Sequence, residues 1–358
     1  MHHFGGLMRK LSSSASAERL KKKQHYLNNG SAVLEELLAV CDGNCRIPLR
    51  YLSATEIENA IKQSGRKIAY NVDGDIVTGS LDNRLVLVRF NNKKRFGIHR
   101  DIAITAQMSH LKNVLRLFGC CLEFAKPVLV YEYVEAISLC ELLFNEGNHD
   151  RARRPLSWES RLRIVNEVAS TVVYLHTEFS TPIIHRDIKP SKVIIDQISG
   201  AAKMVDFSLS ISLPPGKLEV KDDVCGTILY IDPEYVRSGI VTQKTDVYSL
   251  GVLLFQLLTG KSWQEIIDIR VSTPVNVESQ LQSYIKEGSA IDIADPAILE
   301  EHGIEIRQHL EDYLDLVKKC AALKGEDGPY MIQVAKELRR IENCFRDHQS
   351  KLNVYFNT

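Results

Sequence analysis

The spacing of apolar residues predicts short helices at the start of the chain. Apolar side chains between Leu34 and Cys41 recur every three or four positions, as in a helix with one buried face. Residues 53–56 read SATE, a pattern that caps a following helix through its Ser and Glu side chains. The preceding residues 9–30 are polar and basic, which predicts a solvated tail or an exposed helix face.

The pattern changes to that of strands between residues 68 and 134. Branched and other apolar residues dominate 85–88 and 128–133, as is typical of strands, with a helix predicted between them at 101–109. This part of the chain therefore predicts a small strand-rich lobe.

The second half of the chain predicts a larger helical lobe. Ser157 can cap a helix whose apolar residues keep helical spacing to Leu175, and residues 245–258 are apolar on nearly all sides, as in a central buried helix. Further helices are predicted near 277–286, 306–323 and 329–345. The predicted fold class is α+β with two lobes.

The predicted domain boundaries follow these changes in pattern. They are 1–50 for a basic tail and short helix, 51–134 for the strand-rich lobe with its preceding helix, 135–348 for the helical lobe and 349–358 for a C-terminal tail.

Composition narrows the class of protein. Of 358 residues, 44% are hydrophobic, and 45 Lys and Arg balance 45 Asp and Glu, so no global field favours nucleic acid. The longest apolar run, 247–258, is too short to span a bilayer, and the first residues lack a signal-peptide core. Cys41 and Cys45 have no second ligand pair nearby for zinc, so we expect reduced thiols in a cytosolic protein.

The clearest chemical signal is the segment 185–193, which reads HRDIKPSKV. It resembles the protein-kinase catalytic loop H-R-D-x-K-x-x-N, in which Asp accepts a proton from the substrate hydroxyl and Asn holds magnesium. Asp187 and Lys189 match this pattern as catalytic residues. Lys192, however, stands where the pattern has Asn.

Other segments resemble the same family in the expected order. They are LKNV at 111–114, GCCLE at 119–123, LVYEYV at 129–134, YLH at 174–176, GTILYIDPEY at 226–235 and DVYSLGV at 246–252. Together they resemble a eukaryotic protein kinase of the plant receptor-like type over about residues 65–345. The resemblance implies the bilobal kinase fold, with a strand-rich N-lobe and a helical C-lobe.

The resemblance implies a nucleotide site in which key parts have changed. Of the three loop glycines only Gly74 remains, so a close phosphate cradle is not expected. Arg89 replaces the strand lysine, and its glutamate partner falls on Ile102. Asp101 would point about 100° away around the helix, so we expect no ion pair between the two positions.

Other residues of that site are retained. The resemblance places Glu132 and Val134 at the nucleotide-contacting hinge and Asp206 at the metal. Lys192 would repel that metal by several kcal/mol even at an effective dielectric near ~20, or would itself contact nucleotide phosphate. We therefore expect a vestigial ATP site, with or without magnesium, and strongly impaired phosphoryl transfer.

The activation segment also departs from the family pattern. The positions of its usual threonines fall on Lys221 and Asp222, whereas Arg186, which would grip a phosphate, remains. We expect Asp222 or Asp223 to pair with Arg186 and fix the segment without phosphorylation. The alternative is a solvated acidic loop. Thr227 completes the predicted regulatory set.

One internal contact of the C-lobe is expected to be lost. Gly328 stands where the family has an arginine that binds the glutamate of the DPEY motif, here Glu234. We therefore expect one fewer tie within the C-lobe.

These losses together resemble the ZED-related (ZRK) pseudokinase group of plant receptor-like cytoplasmic kinases, as does RDIAI at 100–104. The resemblance implies an adaptor or decoy in innate immunity that binds a coiled-coil nucleotide-binding leucine-rich-repeat receptor. It also implies sensing of a bacterial effector, directly or through an effector-modified kinase, with residues 208–227 as the candidate sensing surface. The implied localisation is cytoplasmic, with recruitment to the plasma membrane through partners, and no nucleic acid is expected.

Two other functions stay open. Asp187 and Asp206 could support a weakly active or atypical Ser/Thr kinase. The chain could also be a switch that binds ATP without turnover.

Overall fold

The computed structural model describes residues 4–41, 49–62, 67–68, 75–91, 97–144, 155–266, 283–285, 288–322 and 328–356. Most of the helix predicted near 277–286 lies outside these residues. The chain forms two compact units: residues 1–111 with 115–134, and residues 112–114 with 135–358.

The first unit combines helices with a sheet. Its elements are α1 (Phe4–Cys41), β1 (Arg50–Tyr51), α2 (Ala54–Lys62), β2 (Lys67–Ile68), β3 (Asp75–Leu81), β4 (Arg84–Phe90), α3 (Ile98–Met108), β5 (Leu117–Cys121) and β6 (Val128–Glu132). The strands form a six-stranded sheet in the order β1-β5-β6-β4-β3-β2. All neighbours are antiparallel except β1 and β5.

Helix α1 differs from the tail and short helix that the sequence predicted. It is one helix of 38 residues, and it packs along α3. Asn29 anchors it by donating hydrogen bonds to the carbonyls of Leu122 and Phe124, both at 2.9 Å, and Val33 is fully buried. These long-range contacts stabilise a polar helix whose own apolar pattern is weak.

Helix α2 covers one face of the sheet. Its Ala54 and Ile57 are buried in a cluster with Val86, Val88 and Val130 from the strands. The predicted capping box is present, because Glu56 accepts from the Ser53 N–H at 2.8 Å and Ser53 Oγ accepts from the Glu56 N–H at 3.2 Å.

The second unit is mainly helical. Its elements are β7 (Ala136–Ser138), α4 (Leu139–Phe144), α5 (Trp158–Thr177), β8 (Ile183–Ile184), a 3-10 turn (Pro190–Lys192), β9 (Val193–Asp196), β10 (Ala202–Met204), β11 (Ile211–Ser212), β12 (Glu219–Lys221), α6 (Pro233–Ser238), β13 (Ile240–Thr242), α7 (Gln243–Thr259), α8 (Trp263–Ile266), α9 (Ala290–Ile293), α10 (Pro296–His302), a second 3-10 turn (Gly303–Ile306), α11 (Arg307–Cys320) and α12 (Met331–Phe356).

The centre of the second unit is α7, as its apolar composition predicted. Every residue from Thr245 to Thr259 is buried, and α5, α11 and α12 pack against it. Ser157 caps α5 by accepting a hydrogen bond from the Ser160 N–H at 3.3 Å. The predicted C-terminal tail is instead the end of α12. The strand-rich first unit and helical second unit confirm the α+β class.

In the part of the chain that the structure describes, no helix combines the length and apolarity needed to cross a membrane.

We expect Gly251→Ala to destabilise the second unit. A Cβ at this position would lie 2.8 Å from the Cys320 Cβ and 2.9 Å from the Ala321 nitrogen, so α7 and α11 would have to separate. The expected loss is about 1–3 kcal/mol of unfolding free energy in urea titrations. The control is Gly30→Ala on α1, where the nearest atom is 3.9 Å away. It should be neutral or stabilising by up to about 1 kcal/mol, and equal effects of the two variants would contradict the packing.

Candidate functional site

One buried carboxylate holds the loop that carries the kinase-like motif. Asp246 in α7 accepts hydrogen bonds from the backbone N–H groups of His185 and Arg186, both at 2.8 Å. Its Oδ2 also lies 2.9 Å from Nε2 of His176. Burial raises the pKa of Asp246, but the hydrogen bonds from His176 and the His185 backbone outweigh it and hold the pKa below its ordinary value. A charged Asp246 thus fixes the backbone beside Asp187.

Two non-glycine residues of the site have a left-handed backbone. They are Arg186, with φ 66°, and Asp206, with φ 68°. Such conformations are strained for residues with a Cβ and persist only where surrounding contacts hold them. Ser208, which replaces the family's glycine, does not adopt this conformation, so the substitution needs no strained backbone.

Asp187 lies in a dense hydrogen-bond network. The Thr227 hydroxyl donates to Asp187 Oδ1 at 2.6 Å, and Lys189 Nζ lies 3.1 Å from Oδ2. Lys189 also donates to Thr227 Oγ1 at 2.5 Å. The two predicted catalytic residues and Thr227 are therefore brought together, and the base that a kinase needs is held in a fixed position.

Lys192 places a buried ammonium group between two carboxylates. Its Nζ contacts Asp206 Oδ2 directly and lies 3.6 Å from Asp187 Oδ2. The side chains of Lys192, Asp187 and Asp206 are 2%, 3% and 0% exposed, so each charge depends on its neighbours rather than on water. Lys192 thus supplies, from the chain itself, the positive charge that these carboxylates require.

The surroundings of Asp206 do not fit a divalent metal ion. Magnesium takes oxygen ligands, whereas here an ammonium group stands in place of the amide oxygen and contacts the remaining carboxylate. Among the described residues, no group of three or more His, Cys, Asp or Glu side chains is arranged to hold a metal. Asp206 is therefore the counter-ion of Lys192 in this structure.

The activation segment is tied to the same loop. Arg186 Nη1 donates to Asp222 Oδ2 at 2.5 Å, which is the pairing expected in the absence of a phosphate. Arg186 Nε also donates to the Leu209 carbonyl at 2.6 Å. Asp223 takes part only through its carbonyl, which accepts from the Tyr235 hydroxyl at 2.5 Å. Of the two candidate acids, Asp222 is therefore the partner of Arg186.

In the first unit, the expected absence of the strand–helix ion pair is wrong. Arg89 Nη1 lies 3.1 Å from Asp101 Oδ2, and the two side chains are 3% and 0% exposed. The Thr105 hydroxyl donates a hydrogen bond to the other oxygen of Asp101, Oδ1, at 3.1 Å. The alignment with the family pattern placed the glutamate position at Ile102. The acidic partner is instead Asp101, one residue earlier on α3, which the long, forked Arg89 side chain can reach.

The remaining nucleotide-site residues of the first unit are only partly described. Glu132 ends β6, and its Oε1 accepts from the Arg116 N–H at 3.2 Å. Val134 follows, with 7% exposure. Gly74 lies outside the described residues, so the predicted loss of the phosphate cradle stays a prediction.

A different contact holds Gly328, the position at which the sequence predicted the loss of a tie to Glu234. The Lys244 ammonium donates to the Gly328 carbonyl and lies 3.8 Å from the centroid of the Tyr330 ring. A cation over an aromatic face stabilises such a contact. Lys244 at the start of α7 thus anchors the segment before α12, a role that spacing along the chain did not reveal.

The comparisons with known proteins agree with this geometry. The model of the protein kinase domain matches residues 85–330, so the chain belongs to the protein kinase family. Members of the ZED-related (ZRK) group are 34–36% identical to it over 91–94% of its length, so within that family the chain belongs to this group.

Two relatives from Arabidopsis thaliana match over nearly their whole length. The chain is 36% identical over 349 residues to the serine/threonine-protein kinase ZRK1, covering 94% of this chain and 98% of the relative. It is 34% identical over 339 residues to the non-functional pseudokinase ZED1, covering 91% and 99%. The wall-associated receptor kinase-like 1 is 33% identical over 338 residues, which is 91% of this chain but 44% of that protein.

We expect Lys192→Met to destabilise the second unit by about 3–5 kcal/mol, because it leaves a buried carboxylate without its cation. The double variant Lys192→Met/Asp206→Asn should recover most of this loss, since it removes both charges. Urea unfolding of the wild type, the single variants and the double variant measures the coupling. Lys217→Met, at an exposed lysine of the same unit, is the control. A Lys192→Met protein as stable as this control would contradict the buried ion pair.

Asp222→Ala should speed proteolysis within residues 208–227 about fivefold. The Asp222 side chain is 39% exposed, so its ion pair stabilises the closed segment by only about 1 kcal/mol. Limited digestion followed by mass spectrometry measures the cleavage rate. Asp223→Ala is the matched control and should leave the rate unchanged, because Asp223 acts through its backbone. Equal rates for the two variants would show that the Arg186 contact does not fix the segment.

Proposed function

We propose that this protein is a cytoplasmic pseudokinase adaptor or decoy in plant innate immunity. It binds a coiled-coil nucleotide-binding leucine-rich-repeat receptor and senses a bacterial effector, either directly or through an effector-modified partner kinase. The observation that carries the proposal is the Lys192 ammonium group against Asp206, at the place where a kinase holds its metal. The relative ZED1 is named a non-functional pseudokinase, which supports a role without catalysis.

The loss of a metal ligand bears on chemistry because phosphoryl transfer depends on charge stabilisation. Removing one preorganised stabilising group typically lowers the rate by about 10² to 10³. Here the Asn position carries a cation, and the strand lysine is Arg89. Because such losses are not additive, we expect strongly impaired phosphoryl transfer rather than a rate reduced by the product of the two factors.

The activation segment is the proposed sensing surface. Within residues 208–227, Ser210 is fully buried and Ser212 is partly exposed, whereas Leu218 and Val224 are 71% and 44% exposed. The ion pair of Arg186 with Asp222, whose side chain is 39% exposed, is one of the contacts that tie the segment to the catalytic loop, beside the Thr227–Asp187 hydrogen bond. A modification or a docked partner that competes for Arg186 would therefore loosen the segment around Asp222, which is the local change that an adaptor needs.

A weakly active Ser/Thr kinase is the second candidate, because two parts of the machinery are better preserved than the sequence indicated. The Arg89–Asp101 pair is intact within the first unit, and Asp187 keeps its contacts with Lys189 and Thr227 within the second. The relative ZRK1 is named a serine/threonine-protein kinase. The third candidate, an ATP-binding switch, needs nucleotide binding without turnover.

Radiolabelled ATP with magnesium or manganese separates these candidates. We expect the wild type to incorporate no more phosphate than Asp187→Asn, which keeps the size of the side chain but removes the base. Incorporation that depends on Asp187 would favour the kinase.

Thermal unfolding with ATP tests the switch. Any rise in melting temperature with ATP should not depend on magnesium, because Lys192 takes the place of a metal ligand. Lys192→Asn should acquire magnesium dependence, and an unshifted melting temperature in all samples would contradict the switch.

Co-precipitation from leaf tissue tests the adaptor role directly. The tagged full-length chain should recover a nucleotide-binding leucine-rich-repeat receptor, identified by mass spectrometry. The Asp187→Asn variant should recover the same amount, because an adaptor needs the fold but not the base. Failure to recover any such receptor, or its loss with Asp187→Asn, would count against the proposal.

A further inference from the structure

A hollow of about 410 Å³ opens on the sheet of the first unit. Its wall is formed by charged side chains and its floor by apolar ones. The wall consists of Arg50, Asp82, Arg84 and Arg116, and the floor of Leu81, Val86 and Phe118. None of these seven residues belongs to the predicted nucleotide, metal or regulatory set. We call this feature the arginine hollow.

The floor of the arginine hollow is rigid. Val86 is 1% exposed and belongs to the cluster that α2 covers, and Leu81 and Phe118 pack against that cluster. The backbone next to Arg84 is also fixed, because Asp82 and Asn83 turn β3 into β4 with positive φ values of 50° and 60°, the geometry of a tight two-residue hairpin. The floor and this backbone are therefore in place before any ligand binds.

The three arginines differ in what they already bind. Arg50 is committed, because it pairs with Asp82 at 2.6 Å and with Glu56 at 3.3 Å. Across the described part of the chain, the guanidinium groups of Arg84 and Arg116 form no ion pair. Arg116 instead lies over the Phe118 ring, 5.4 Å from its centroid. Two exposed guanidinium groups thus stand beside an apolar floor.

This combination suits a compact, doubly charged oxyanion on an apolar carrier. Guanidinium groups bind phosphate through parallel N–H donors, and arginine clusters are a recurring means of recognising phosphorylated motifs. A long nucleic acid fits poorly, because it presents a row of phosphates, whereas the hollow offers two guanidinium groups outside ion pairs and the whole chain has no net charge.

We propose that the arginine hollow binds a phosphorylated side chain presented by a partner protein. Arg84 and Arg116 hold the phosphate, and the floor formed by Leu81, Val86 and Phe118 takes an adjacent apolar side chain. This site is separate from the adaptor proposal, since it does not depend on whether Lys192 excludes a metal.

Fluorescence anisotropy with the full-length chain tests the site. The probes are two labelled pools of nonapeptides with degenerate flanks, one with a central phosphoserine and one with a central phosphotyrosine, and the same pools without phosphate. We expect a phosphorylated pool to bind and its unphosphorylated counterpart not to bind. Arg84→Gln and Arg116→Gln should each weaken binding about tenfold, and the double variant about a hundredfold. Melting temperatures should be unchanged, because both side chains are exposed.

The matched control removes the same charge elsewhere. Arg19→Gln/Arg339→Gln changes two exposed arginines outside the hollow and should leave binding within about twofold of wild type. The proposal is overturned if neither phosphorylated pool binds more tightly than its unphosphorylated counterpart, or if the control weakens binding as much as the Arg84/Arg116 double variant. A labelled single-stranded oligonucleotide of ten thymidines that binds more tightly than the peptides would assign the hollow to nucleic acid instead.

Discussion

A buried ammonium group between two carboxylates governs this structure's functional site. Asp187 and Asp206 are almost completely shielded from water, and carboxylates in that environment need a positive partner. Lys192 is that partner. In an active kinase the corresponding charge arrives with magnesium and nucleotide, whereas here it is part of the chain. The site is therefore electrostatically complete without the ligands that define a kinase reaction.

Around this site, residues that differ from the family pattern form new stabilising contacts. Arg89 and Asp101 replace a lysine–glutamate pair within the first unit, and Asp222 occupies Arg186 as a phosphate would. Lys244 holds the segment before α12 where the family arginine is absent. The first two replacements keep an ion pair while changing a residue that forms it, and the third joins α7 to the segment before α12.

The surfaces proposed for recognition are of two kinds. In the activation segment, the ion pair that holds Asp222 is partly open to solvent, so this part of the segment can be released at a small cost in free energy. The arginine hollow is preformed on a buried apolar cluster, so it can bind a ligand without rearrangement. A segment that can be loosened and a preformed hollow are complementary properties in the adaptor that we propose.

The sequence alone determined the fold, because α7, the capped helices and the ordered kinase motifs are local patterns that the residues themselves carry. It also identified Asp187, Lys189 and Asp206, and it singled out Lys192 as the anomaly. Only the tertiary structure decided which charges meet. Asp101 reaches Arg89 because the long arginine side chain extends to a residue one position before the expected one. Lys192 meets Asp206 because the paired strands β9 and β10 bring the residues at their outer ends together. Spacing along a chain specifies periodic elements, but the pairing of buried charges depends on distances of a few ångström that only packing sets.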